Sequence, residues 1–460
     1  MVSTTVAERS DRPTVATGRA VDLPAWPVLV MLWGFPVMWL LGVTVIPMAV
    51  SMTLVMVSFL VRHRAAVVVP GVGAFGAFVL WTVPTALMLD SATRAMGFVF
   101  RGIILVFVLT AFVYTISAAR TLTRRAVVSG LTVVWGFTIV GGVLGMLFPG
   151  VRLTTPVGML LPGAIADNSY VRDLFFPPLA EVQHPWGSPT EFVRPSAPFP
   201  YANSWGVAVL LLTPVAVACF MMARSWFVRC LLLVAAVVLV APAAATSNRG
   251  MFAALGLSAA YVVVRLALRN RATPVITLSV LGVAALLVLW SRGLFDQISQ
   301  RQEYGQSNEA RFTLYRETVE RTLQSPLLGF GAPRPSTGQE LSVGTQGYVW
   351  TLMFSYGFVG LGLFLLFLWG ITWRTRGAAD DVDVVLHSVL VVASLVILVY
   401  GLDIMQMLSL ALVAAVLVRR RYGLEPAPPP ALHGGPGHVR PGHDGPVHDG
   451  PGRDGPAHDD

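Results

Sequence analysis

Apolar residues in this chain fall into blocks of roughly 17–24 with almost no charge inside them, the length that carries an α-helix across about 30 Å of hydrocarbon at 1.5 Å per residue. Nothing else in the sequence constrains the fold as strongly. Backbone groups inside a bilayer must bond within their own segment, so blocks of this kind become transmembrane helices. Only 12% of the residues are charged, where a soluble domain carries about a quarter. The expected fold class is an all-α polytopic integral membrane protein, which excludes a soluble multidomain enzyme. The polar stretch from Met1 to Leu23 leads into a long double apolar block with no small-residue cleavage site between them. Residues 1–25 therefore read as a cytoplasmic tail rather than a cleaved signal.

The blocks give about twelve spans in a transmembrane domain over 26–422, near 26–42, 44–61, 65–88, 97–117, 126–148, 203–222, 230–246, 250–267, 273–291, 348–371, 384–401 and 404–418. The first and last pairs are each one apolar run split by a weak signal, Gly42 to Pro47 and Tyr400 to Asp403. Orientation follows from arginine, because the 32 basic residues are all Arg. One set of connections holds Arg62 and Arg64; Arg120, Arg124 and Arg125; Arg224 and Arg229; Arg265, Arg269 and Arg271; Arg374 and Arg376; and Arg419 to Arg421. The opposite set has single arginines, Arg94 and Arg249, in its short connections, and two long segments, 149–202 and 292–347. The positive-inside rule then places both termini in the cytoplasm and both long loops outside, in a bacterial plasma membrane. With the charge of +8 distributed in this way, topology accounts for it and no nucleic-acid partner is implied.

The loop 149–202 is studded with prolines from Pro149 to Pro200 and reads as an irregular cover. The loop 292–347 contains a helix candidate, Asn308 to Leu323, with Phe312, Tyr315, Val319 and Leu323 at helical spacing. Such a helix should lie along the membrane surface or cap the bundle. The C-terminal stretch 423–460 repeats Gly-Pro-x-His-Asp with a period of five and cannot build a core, so it reads as a disordered tail. Its histidines could bind a metal, although a plain solvated tail is the simpler reading. Cys219 and Cys230 have no metal-ligand or disulfide spacing and read as packing residues.

Phosphate-binding Gly-Lys-Ser/Thr loops and dinucleotide fingerprints are absent, which argues against an ATP-driven pump. The outer face offers arginines at the membrane boundary instead. Arg249, in Ser247-Asn248-Arg249-Gly250, either snorkels to headgroups or serves as a fixed cation for a lipid-linked diphosphate. Arg101 lies about one turn inside the fourth span and, with Asp90 and Arg94, forms a small charged cluster at the same level. The alternative there is a structural Asp-Arg pair. Arg311 opens the surface helix, where a solvated edge is the plain alternative.

The run Glu309-Ala310-Arg311-Phe312-Thr313-Leu314-Tyr315, followed by Gln324-Ser325-Pro326-Leu327-Leu328-Gly329-Phe330-Gly331, resembles the signature of the O-antigen ligase and O-antigen polymerase superfamily. Gly344-Thr345-Gln346-Gly347-Tyr348, continuing to Tyr356-Gly357-Phe358-Val359-Gly360, resembles the start of the span that follows the family's outer loop. The Ser-Asn-Arg-Gly turn at Arg249 is similar to the family's Ser-x-Arg-Gly turn. The resemblance covers roughly residues 200–370. It implies transfer of a glycan from a polyprenyl-diphosphate carrier to an acceptor hydroxyl on the outer face, with no cofactor and no metal. In that reading Arg249 and Arg311 hold the diphosphate and Arg101 assists. Arg94 and Asp90 complete the binding region. One departure matters: counting back from Gly357, the family's His falls on Gln346, which hydrogen-bonds but takes no proton at neutral pH. Gln346 is then expected to orient the sugar or acceptor, and His184, the other histidine placed outside, is a substitute. A transporter or flippase of lipid-linked glycans, or a non-catalytic scaffold, are the alternatives.

Overall fold

The computed structural model describes residues 22–161, 169–184, 191–273, 275–277, 279–280, 282, 307–338 and 341–425. All of these belong to a unit ending at Glu425; the histidine-rich stretch 426–460, most of the N-terminal tail and more than half of the expected span 273–291 lie outside the described residues.

The protein is built of helices. In chain order they are α1 (Trp26–Trp33), α2 (Phe35–Leu41), α3 (Ile46–His63), α4 (Val72–Thr82), α5 (Ala92–Ser117), α6 (Arg124–Leu147), α7 (Pro156–Met159), α8 (Ser169–Phe175), α9 (Ala202–Met222), α10 (Trp226–Ala245), α11 (Arg249–Ala267), α12 (Ser307–Thr322), α13 (Tyr348–Thr375), α14 (Asp381–Val396) and α15 (Ile404–Arg421). Two small antiparallel hairpins, β1 (Ala180–Gln183) with β2 (Phe192–Pro195) and β3 (Arg334–Pro335) with β4 (Ser342–Val343), sit in the long connections. Among the described residues seven helices, α3, α5, α6, α9, α10, α11 and α13, are long and apolar enough to cross a membrane. Of the other apolar blocks, the first is interrupted, α4 and α14 are shorter, and α15, as long as α3, ends in three arginines. Pro36, which lacks a donor, and Gly34 divide the first block into α1 and α2. A 3-10 turn at Pro84–Met88 continues α4.

Helix α15 is the centre of the bundle. Every residue from Ile404 to Arg419 is buried, and the helix touches α5, α6, α9, α13 and α14. A helix that is apolar on all sides has no face to offer water and is stable only when neighbours surround it. Helix α10 is the opposite case: Trp226, Phe227, Leu231, Val234 and Val237 all project outward, a surface suited to lipid.

In the long connection after α6, the described stretches 149–161, 169–184 and 191–202 carry two short helices and a hairpin. Gly141 and Gly145, one turn apart on α6, let it approach closely: a Cβ at either position would come within 2.3 Å of the Ala197 or Leu179 carbonyl. The hairpin β1–β2 is thereby held against α6, with Glu181 opposite Arg194 in register.

Helix α13 is broken at Gly357, whose φ of 70° and ψ of −176° are non-helical. The Pro326–Gly331 segment docks into the break. Phe330 N–H donates to the Phe354 carbonyl and Gly331 N–H to the Ser355 carbonyl, both at 2.8 Å, while Phe358 N–H donates to the Pro326 carbonyl at 2.8 Å. Trp81 Nε1–H donates to the Tyr356 carbonyl at 3.1 Å. These bonds satisfy the backbone groups that the break releases, which is the condition for irregular backbone at membrane depth. The docked loop also draws α12 onto α13 through Leu314, Phe330, Val343 and Phe354.

Helix α12 covers only one of its faces. Its buried residues are Leu314, Thr318 and Thr322, whereas Phe312, Val319 and Leu323 point outward. Docking selects the face that fits against Phe354 and Phe330, and the apolar residues on the other side stay exposed, as on a helix that lies along a membrane surface.

Candidate functional site

The candidate site is assembled from turns and helix starts rather than from helix interiors. Arg194 on β2 is buried; its Nε donates to the Thr246 carbonyl at 3.0 Å, Nη2 to Asn203 Oδ1 at 2.9 Å, and Nη1 lies 3.5 Å from Glu181. The turn ahead of α11 is fixed by Asn248, whose Oδ1 accepts from the Met251 N–H at 3.1 Å and from the Tyr400 hydroxyl. This is a standard N-cap that also anchors a distant loop. Gly250 leaves the space Tyr400 occupies, because a Cβ there would meet the phenol oxygen at 2.3 Å. Arg249, first residue of α11, is exposed at this point.

Tyr400 is the common neighbour. The positive charges of Arg311, Arg194 and Arg249 all act on its phenol, against a burial that pushes its pKa up. Burial also opposes the charge of Arg194; Glu181 supports it and the like charge of Arg311 opposes it. Three arginines from three separated stretches thus converge on one end of the bundle. Among the described residues neither Arg249 nor Arg311 has a carboxylate within salt-bridge distance. Like charges gathered without counter-ions repel one another, so the cluster favours an anion between them.

Beside this cluster lies a cavity of about 510 Å³, lined mostly by apolar and aromatic side chains, among them Phe35, Trp39, Phe100, Phe199 and Leu402. Its charged lining residues are Arg101, Asp173 and Asp403. The first turn of α9 joins the two features: Asn203 receives Arg194, and the neighbouring Ser204 hydrogen-bonds the Asp403 carboxyl. Burial pushes the Asp403 carboxyl above the usual range.

The residues singled out from sequence are distributed unequally. Arg249 and Arg311 share the cluster. Gln346 lies close to it: its backbone carbonyl accepts from the Tyr315 hydroxyl at 3.4 Å, and its amide reaches Thr345 Oγ1 at 3.3 Å. Tyr315 stacks on Trp350 at 4.3 Å and lies within the field of Arg311. Arg101, nine residues into α5, donates from Nη2 to the Gly331 carbonyl at 3.3 Å and, among the described residues, forms no ion pair with Asp90. Asp90 pairs with Arg94 and, at 3.3 Å, with Arg334, whose guanidinium also covers the Phe330 ring at 4.4 Å. His184, at the exposed end of β1, faces Glu191 at 2.6 Å across the hairpin. Sequence reasoning passed over Arg194, Tyr400 and Asp403. Asp403 could have been noticed as the sole charge between two long apolar runs.

Comparison with models of known protein families gives no match, and comparison with curated proteins finds none similar.

Proposed function

We propose that this protein transfers a glycan from a polyprenyl-diphosphate carrier to an acceptor hydroxyl, as a membrane glycan ligase or polymerase of the O-antigen ligase type. The observation that carries the reading is the pairing of an uncompensated arginine cluster with an adjoining, mostly apolar cavity. An amphiphile with a multiply charged head meets both requirements. Arg249 and Arg311 hold the diphosphate, and Arg194, fixed by Thr246, Asn203 and Glu181, keeps Tyr400 and the α9 start in place around it. As the glycosidic bond breaks, negative charge grows on the leaving diphosphate, and guanidinium groups already in position stabilise it without reorganisation. Twelve spans with both termini in the cytoplasm set this end of the bundle outside the bacterial plasma membrane, where capsule, exopolysaccharide or cell-wall polymers are assembled. Gln346 orients the sugar or acceptor by hydrogen bonding.

Deletion of the gene followed by analysis of lipid-linked glycans tests the proposal and separates its two forms. Single repeat units on the carrier indicate a polymerase, finished long chains a ligase, and an unchanged pool rules out both. In purified protein, Arg249→Ala and Arg311→Ala should each lower transfer by about 100-fold or more, the scale of losing one charge-stabilising group. Transfer at the native rate by both variants would overturn the assignment.

A further inference from the structure

Among the described residues one carboxylate at this end stands apart. Glu181 is engaged with Arg194 at 3.5 Å and Asp173 with Arg152 at 2.6 Å. Asp403 has no arginine partner among the described residues; Ser204 holds one side of the carboxyl, and Oδ2 is buried without a hydrogen-bond partner. Arg101, on the same cavity, has a buried Nε in the same condition. A buried polar atom left unpaired costs about 1–3 kcal/mol, so a cavity that keeps two of them is built for something that pairs with them. A sugar or other hydroxyl is both donor and acceptor, and the Phe, Trp and Tyr faces of the lining suit the apolar face of a sugar ring.

From these observations we infer that the cavity is the subsite for the acceptor hydroxyl compound, and that Asp403 is the base which takes the proton from that hydroxyl. The inference rests on the transfer reaction proposed above and supplies the proton acceptor that Gln346 cannot be. The acceptor O–H gives its proton to Asp403 Oδ2 while its oxygen bonds to the anomeric carbon of the donor. The bond from that carbon to the diphosphate oxygen breaks, and its electron pair leaves on the polyprenyl diphosphate, facing Arg249 and Arg311. The proton then passes from Asp403 to solvent, which restores the carboxylate. The α9 start, carrying Asn203 and Ser204 side by side, fixes the spacing between diphosphate site and base.

The test uses full-length protein in nanodiscs, the lipid-linked glycan extracted from the deletion strain as donor, and undecaprenyl diphosphate as binding probe. Asp403→Asn should lose about 100-fold or more in kcat, the usual scale for a general base, with probe binding unchanged. Asp403→Ala should regain transfer when sodium formate is added, because a free carboxylate can enter the cavity. The wild-type rate should rise with pH through a carboxyl titration that Asp403→Asn lacks. The other titratable groups around the cavity are Arg101 of α5, Asp173 of α8, Tyr201 at the start of α9, and Tyr348 and Tyr356 of α13. Asp173 is paired with Arg152 at 2.6 Å. Wild-type transfer with an unimpaired Asp403→Asn, or an impaired Asp403→Ala that formate leaves unchanged, would overturn the role of Asp403 and leave the transfer reaction standing. Absence of both transfer and probe binding in the wild-type protein would overturn both.

Discussion

A carboxyl placed as Asp403 is works against the fold that holds it. Burial raises its pKa, so the folded chain binds this proton more tightly than the unfolded chain does. Where the native state holds the extra proton, stability falls as pH rises, beginning near the ordinary Asp value of about 3.9 and ending at the raised folded value. That loss of stability with rising pH is one that a neutral amide of the same shape does not suffer. Asp403→Asn should therefore raise the Tm at pH 7 while abolishing most transfer, and the gain should shrink toward pH 4. Thermal unfolding in detergent at the two pH values measures it; a lower Tm at pH 7 would show that the carboxylate stabilises the fold. Glu317 on α12 has the opposite sign. Burial disfavours its charge, but the Ser336 hydroxyl, the Thr337 N–H and Arg321 outweigh that and hold its pKa down. Its contribution is complete above the ordinary Glu value and is lost as pH falls through the lowered one.

At the scale of elements, the break in α13 is the feature on which the end carrying Arg311 depends. Gly357 has φ and ψ in a region essentially restricted to glycine, and a Cβ on it would lie 2.1 Å from the Leu327 carbonyl. Gly357→Ala should cost about 1–3 kcal/mol in backbone strain alone, with the clash added, and should loosen α12 and with it Arg311. Gly362, further along the same helix and with nothing within 4 Å of its Cβ position, is the control: Gly362→Ala should be neutral or slightly stabilising. Chemical unfolding of both variants compares them; equal stability would mean that the loop does not hold the break. The sequence shows the helices well, because span length and charge exclusion are local properties. It shows the glycines of the docked loop only as a motif, since their reason is a contact between Gly329 and Phe354, far apart in sequence. The periodicity of Phe312, Val319 and Leu323 marks α12 as a helix, but only the tertiary contact at Leu314 shows which face the protein covers. Arg194, Tyr400 and Asp403 lie in turns and a strand, where no periodic pattern reveals what they face.

Over the whole molecule, the two ends of the bundle handle charge differently. At one end Arg249 and Arg311 lack carboxylate partners among the described residues, whereas at the other Arg124, Arg419 and Arg420 are paired with three carboxylates. Arg124 reaches Asp380 and Asp383 at 2.8 Å; Arg420 reaches the same two residues at 2.9 and 2.8 Å and Glu425 at 3.0 Å. Arg419, with a fully buried side chain, donates to the Leu122 carbonyl at 2.6 Å and pairs with Glu425 at 2.9 Å. This network joins the starts of α6 and α14 to the end of the central helix α15, so it fixes one end of the bundle while leaving charge unspent at the other. Asp383, 2% exposed, is its most enclosed carboxylate. Removing it in Asp383→Ala leaves two guanidinium groups short of a partner in a desolvated position, and the expected loss is about 3–5 kcal/mol. Under the proposed function, binding of undecaprenyl diphosphate at the far end should survive in the fraction that folds. Acid should act on the same network. Burial opposes the charge of Asp380, yet the Asp383 N–H, Arg124 and Arg420 together lower its pKa, so its contribution is full above about pH 4 and is lost as pH falls through the lowered folded value. The measurement is unfolding by denaturant in detergent at pH 7 and at pH 3 for wild type and Asp383→Ala: the gap between them should narrow at low pH, and a gap that stays constant would show that these ion pairs do not secure the central helix.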